Sequence, residues 1–164
     1  MRMKTKLSFI LMIFIISSSC STSPSVNASE IENGLVKFEN GDLMTADSLD
    51  SMGNEFHYSD GEAAITSQVK VLKPGVKTPW HYHPYTGVVY VLQGELTVNF
   101  DTVTTLDNRA AVKSISTTQS FKAGDKAFLS VSNTWHYSEN RGDNDLIFMA
   151  TWLGEKNEPV AVFQ

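Results

Sequence analysis

The sequence predicts an all-β protein, a single sandwich or barrel of short strands with little helix. Three observations carry this. Apolar or alternating runs recur at intervals of roughly 8 to 12 residues, as in all-β domains. Glycine-containing turns separate those runs. No segment keeps a 3.6-residue period long enough for a sizeable helix. The 164 residues are enough for one such domain and not comfortably for two.

The elements follow in chain order. MRMKTK, residues 1–6, is basic. LSFILMIFII, residues 7–16, is apolar but too short to span a bilayer core. Small residues lead on to Cys20. This three-part pattern reads as an export signal over residues 1–19. STSPSVNAS, residues 21–29, is a polar, serine-rich tether, and the whole linker is taken as residues 20–33. The folded domain is expected over residues 34–164. Within it AAITSQVKVL (63–72) partly alternates and stops at Lys73-Pro74-Gly75. GVVYVL (87–92) is continuously apolar and is punctuated by Gln93-Gly94. ELTVNF (95–100) alternates. FKAGDKAFLSV (121–131) turns at Ala123-Gly124-Asp125, and DLIFMATWL (145–153) follows Arg141-Gly142-Asp143-Asn144. Residues 101–120 give no clear pattern.

Charge and cysteine content narrow the function classes. The formal net charge is −5, and the first 19 residues hold three positive charges and no acid, so the remainder carries −8. An acidic body argues against a nucleic acid or an anionic membrane held by charge. Cys20 is the only cysteine, so no intrachain disulfide forms. After Ser17-Ser18-Ser19 it resembles the acylated cysteine of a bacterial lipoprotein, although Ser17 stands where that pattern prefers an aliphatic residue. Cleavage nearby by an ordinary signal peptidase is the alternative. Either way the protein is expected outside the cytoplasm, periplasmic or anchored to the membrane through lipid on Cys20.

PWHYHPYTG, residues 79–87, spends two of the four histidines on His81 and His83. Residues two apart on a strand share a face, so both imidazoles can reach one metal ion. Pro84 holds His83 to extended geometry. A third ligand must come from elsewhere, and His136 in NTWHYSEN is the candidate. A packing role is the bland alternative for each histidine.

These residues resemble the cupin family. Its first motif, G-x5-H-x-H followed by Glu and a closing Gly, is matched by Gly75, His81, His83 and Gly94, with Gly87 at the glutamate position. Its second motif is matched by Gly124, His136 and Asn140, with Ser130 and Ser132 for Pro and Gly and one extra residue before His136. The resemblance covers residues 69–153. It implies a jelly-roll β-barrel with a divalent metal in its mouth, held by His81, His83 and His136 without the fourth carboxylate ligand. Three imidazoles suit Zn, and Fe, Mn, Ni and Cu stay open. Gly87 is expected to leave room for a bulkier substrate.

Three further residues are candidate substrate contacts. His57, before the first motif, could be a fourth ligand or, as a histidine, a proton shuttle. Tyr85 lies in the loop beside the ligands. Gln93 shares strand parity with Gly87, Val89 and Val91 and is expected to point inward. Glu95, Trp80, Tyr82, Tyr90 and Trp135 are read as rim or packing residues, and Asn140 as a turn-holder. No residue is assigned as general base. The resemblance implies a metal-dependent enzyme on a small molecule, quercetinase-like dioxygenase, isomerase or lyase chemistry included. The alternatives are a non-catalytic cupin that binds a sugar or other small molecule, and a homodimer formed by sheet pairing.

Overall fold

The computed structural model describes residues 31–32, 35–36 and 40–164, so the segment read as an export signal, Cys20 and most of the stretch read as a tether lie outside the described residues. Among the described residues there are eleven strands and no helix. A small hairpin pairs β1 (Ile31–Glu32) with β2 (Leu35–Val36). The other strands form two sheets. One has the order β3 (Ala63–Leu72), β10 (Leu146–Glu155), β5 (Gly87–Gln93), β8 (Phe128–Leu129). The second has the order β11 (Val162–Phe163), β4 (His81–Tyr82), β9 (Trp135–Asn140), β6 (Glu95–Asp101), β7 (Thr117–Lys122). Neighbouring strands in both sheets run antiparallel. Chain neighbours β5 and β6 lie in different sheets, joined by Gly94 at φ +79°. Two sheets that exchange strands in this way make the jelly-roll barrel.

The core lies between the sheets. The alternation of β10 places Leu146, Phe148, Ala150 and Trp152 inward. They meet Val89 and Val91 of β5 and Leu96, Val98 and Phe100 of β6. Strand β6 is buried on both faces. Its outward Asn99 binds Glu139 (2.9 Å) and Thr118 (2.8 Å), and Glu139 in turn pairs with Lys77 (2.9 Å) and Arg141. These partners satisfy a polar side chain that water cannot reach.

Residues 101–120, unreadable in sequence, form a loop followed by β7. Asp101 organises the loop. Its carboxylate accepts from the Val103, Thr104 and Ser114 amides (each 2.9 Å) and from the Thr104 hydroxyl (2.8 Å). Those bonds hold the Asp101 carboxyl down to about 2 against the opposing effect of burial. The loop closes the outer face over Trp135, whose indole donates to the Thr105 carbonyl at 3.3 Å while the Lys113 ammonium sits 4.3 Å from its ring centroid. Trp135 is completely buried. Its burial fixes the facing of β9 and sends the next side chain, His136, to the interior.

Candidate metal centre

The three histidines meet. His81 and His136 are direct partners in the β4–β9 ladder, and Phe100 flanks His136 from β6. His83 follows β4 by one residue and remains on the His81 side. Ring centroids are 4.4 Å apart for His81–His136, 5.0 Å for His81–His83 and 5.1 Å for His83–His136. One ligand atom from each lies within 4.8 Å of the others. All three residues are buried.

The backbone sets each ring. Nδ1 of His81 contacts the Pro79 carbonyl at 2.8 Å, Nδ1 of His83 the Val160 carbonyl at 2.6 Å, and Nδ1 of His136 the Thr134 carbonyl at 2.9 Å. A carbonyl only accepts, so each Nδ1 carries the proton and donates. In the neutral ring this leaves an unprotonated Nε2 with its lone pair free. Burial lowers the pKa of all three; His83 falls to about 4 and His136 well below its ordinary value. The neighbouring imidazoles push His83 and His136 down further, and the Lys70 charge lowers His81 and His83. At neutral pH the cluster is three uncharged bases with tautomers fixed by carbonyl hydrogen bonds. That is the outer-shell arrangement of metal-binding histidine, and the donor set fits a divalent ion. Two of the three carbonyls lie two residues before their own histidine. The third comes from Val160, in a C-terminal segment whose strand β11 pairs with β4, a long-range contact with no local sequence signal.

Two cavities flank the cluster. An apolar interior chamber of about 50 Å³ reaches His83 and His136 between the sheets. A larger cavity of about 270 Å³ reaches His81 and His83 from the β3 and β11 side. Trp152 and Phe148 line both.

Trp152 also corrects the expectation attached to Gly87. The two residues are ladder partners. A Cβ on Gly87 would lie 2.9 Å from Trp152 Cδ1 and 3.0 Å from the Thr151 carbonyl oxygen. The Trp152 ring centroid is 4.9 Å from that of His83. Glycine at this position leaves no empty space; an indole fills it, next to His83.

None of the three candidate substrate contacts lines either cavity. His57 is exposed, with its imidazole 3.8 Å from Glu55. Tyr85 packs over Gly154, where an added Cβ would come within 2.9 Å of its ring. Burial and the charges of Glu155 and Glu158 raise its pKa. Gln93 donates from Nε2 to the Asp145 carbonyl at 2.9 Å. A register shift between Ile147 and Phe148 skips Leu92 and breaks the parity that aligned Gln93 with Val91. Glu95 stands at the rim 3.5 Å from Lys122. Asn140 holds its turn: its amide donates to the Leu72 and Asn144 carbonyls (2.8 and 2.7 Å), and its oxygen accepts from the Gly142 amide (2.9 Å).

Comparison with known proteins places this architecture. The family model described as a cupin domain matches residues 68–152. No curated protein matches the sequence. Solved structures with a similar fold include the DMSP lyase DddQ from Ruegeria pomeroyi DSS-3, at 19% identity over 65% of this chain and 44% of that one, TM-score 0.45. An oxalate decarboxylase–formate complex from Lactobacillus farciminis aligns at 23% identity over 60% of this chain and 26% of that one, TM-score 0.46. A cupin 2 conserved barrel domain protein from Salinispora arenicola CNS-205 aligns at 19% identity over 55% of this chain and 63% of that one, TM-score 0.42. The chain spans less than two thirds of the length of each of these proteins.

Proposed function

The chain belongs to the cupin family, and on that premise we propose that it is an exported metal-dependent enzyme acting on a small molecule. One observation carries the metal reading. Three buried histidines from separate segments each donate Nδ1–H to a backbone carbonyl, which leaves three Nε2 lone pairs for a common ion. Three histidine ligands with no carboxylate leave coordination positions open for water or substrate, as in catalytic zinc sites. A divalent ion held there would supply Lewis acidity toward a carbonyl or a bound water. The protein's own part is to keep the imidazoles neutral, fix their direction and shield the site with Phe148 and Trp152. The reaction class that the resemblance favours is dioxygenase-like. Export rests on the basic lead, short apolar run and small residues of the N-terminus, with Cys20 as the candidate lipid anchor.

The test is elemental analysis of protein purified without added metal, beside a His81→Ala/His83→Ala double mutant. Near-stoichiometric metal in the wild type, lost in the mutant, is the expected result. Equal trace content in the two proteins would overturn the metal reading. Screening of the metal-loaded protein for metal-dependent consumption of small molecules separates an enzyme from a binder. A binder gains thermal stability with its ligand and leaves it unchanged.

A further inference from the structure

One side chain at the larger cavity, Lys70, has a capacity that the metal site does not use. It lies on β3 with the parity of Gln68 and Leu72, and all three line the cavity that opens on His81 and His83. No other lysine, arginine, aspartate or glutamate lines it. Lys70 forms no ion pair among the described residues, whereas Lys73, Lys77, Lys122 and Lys156 each have an acidic partner. In a chain of net charge −5, the one fixed charge at this mouth is an unneutralised cation.

The remaining wall is largely apolar, with Leu72, Phe148, Trp152, Val160 and Phe163. A volume of about 270 Å³ lies just under the usual range for small-molecule sites.

We propose that the site takes a small carboxylate with an apolar body, its negative charge paired with Lys70 at the mouth and its hydrocarbon part against Leu72, Phe148 and Trp152. This rests on the metal reading for what lies at the inner end, while Lys70 makes a claim of its own. A flexible ammonium acts as a point charge and selects for negative charge. The apolar wall selects for a hydrocarbon body over a polyol such as a free sugar. Lys70 is thus assigned as a binding group.

The experiment compares benzoate with its neutral isostere benzamide. Each is titrated calorimetrically into cobalt-loaded and chelator-treated full-length protein, wild type, Lys70→Met and Lys70→Arg. Cobalt uptake is followed by its visible absorption. The wild type should bind benzoate at least tenfold more tightly than benzamide. Lys70→Met should lose at least fivefold in benzoate affinity with benzamide and cobalt binding unchanged, and Lys70→Arg should retain most of it. Unchanged benzoate affinity in Lys70→Met, or an equal loss for benzamide, would overturn the proposal while leaving the metal site standing. Failure of wild type to take up cobalt would overturn the metal reading. The chelator-treated titrations would then still decide the role of Lys70.

Discussion

Substitution of Gly87 by alanine tests the most crowded contact at the site. The added methyl would sit 2.9 Å from Trp152 Cδ1, 3.0 Å from the Thr151 oxygen and 3.3 Å from the Thr151 carbonyl carbon. Favourable carbon–carbon contact begins near 3.5 Å, so the overlap with the indole is about 0.6 Å. Two of the three neighbours are backbone atoms of β10, paired on both sides by β3 and β5, and cannot yield cheaply. Overpacking of this kind costs about 1–3 kcal/mol. Alanine recovers about 0.4–1 kcal/mol by restricting the unfolded chain. The net expectation is a loss of roughly 1–2 kcal/mol, or about 3–8 °C in melting temperature for a domain of this size. Urea unfolding followed by near-ultraviolet circular dichroism measures it. Trp152→Ala alone should cost about 3–5 kcal/mol, and the double mutant should be less destabilised than the sum by about 1 kcal/mol, since contacting residues couple. A Gly87→Ala protein within 0.5 kcal/mol of wild type, or strict additivity with Trp152→Ala, would refute the view that the indole occupies the glutamate position. By the same reasoning Gly87→Glu does not restore a carboxylate ligand; it should lower both stability and metal content.

Other perturbations have defined outcomes. The metal-free protein should lose stability as pH falls from about 6.5 toward 4. The folded-state pKa of His83 is lowered to about 4, so the unfolded chain binds the proton first and stability is complete only above the unfolded value. Denaturant midpoints measured across that window check this, and a flat profile would contradict it. The metal-loaded protein should resist acid further, because coordination holds the imidazoles deprotonated. Asp101→Ala should destabilise by about 2–4 kcal/mol, since it strips the acceptor from three backbone amides. Limited proteolysis should then cut within residues 102–116. Asn140→Ala should cost about 1–3 kcal/mol by removing the bond to the buried Leu72 carbonyl and the turn contacts to Asn144 and Gly142, with metal content largely retained.

The strands that carry the barrel were legible because both their burial and their turns are written locally. Residues 63–72 match β3, and the runs beginning at Gly87 and Glu95 match β5 and β6 to within a residue. The signal failed at β7. TTQSFK is polar and half-buried at a sheet edge, so it shows no apolar alternation. The clustering of the three histidines was legible because strand parity and spacing bring His81 and His83 to one face, and His136 supplied the third ring. What surrounds the trio was not legible. Trp152 sits in a run read correctly as a strand, yet only the β5–β10 register sets it against Gly87. Lys70 shares parity with buried Leu72, a cue available in the sequence. Gln93 misled because a bulge reverses facing without marking the composition.

The Val160 carbonyl that orients His83 has a consequence for how the three rings depend on one another. His81 and His136 take their bearings from carbonyls two residues before them, inside their own segments. His83 takes its bearing across 77 residues of chain, from the segment whose β11 edge pairs with His81 and Tyr82. Undocking of that two-residue strand would release one imidazole while the other two keep their direction, so the geometry of the trio is only as firm as a short edge contact. A stop codon at position 158 would yield a barrel with three rings present and no fixed bearing for one of them.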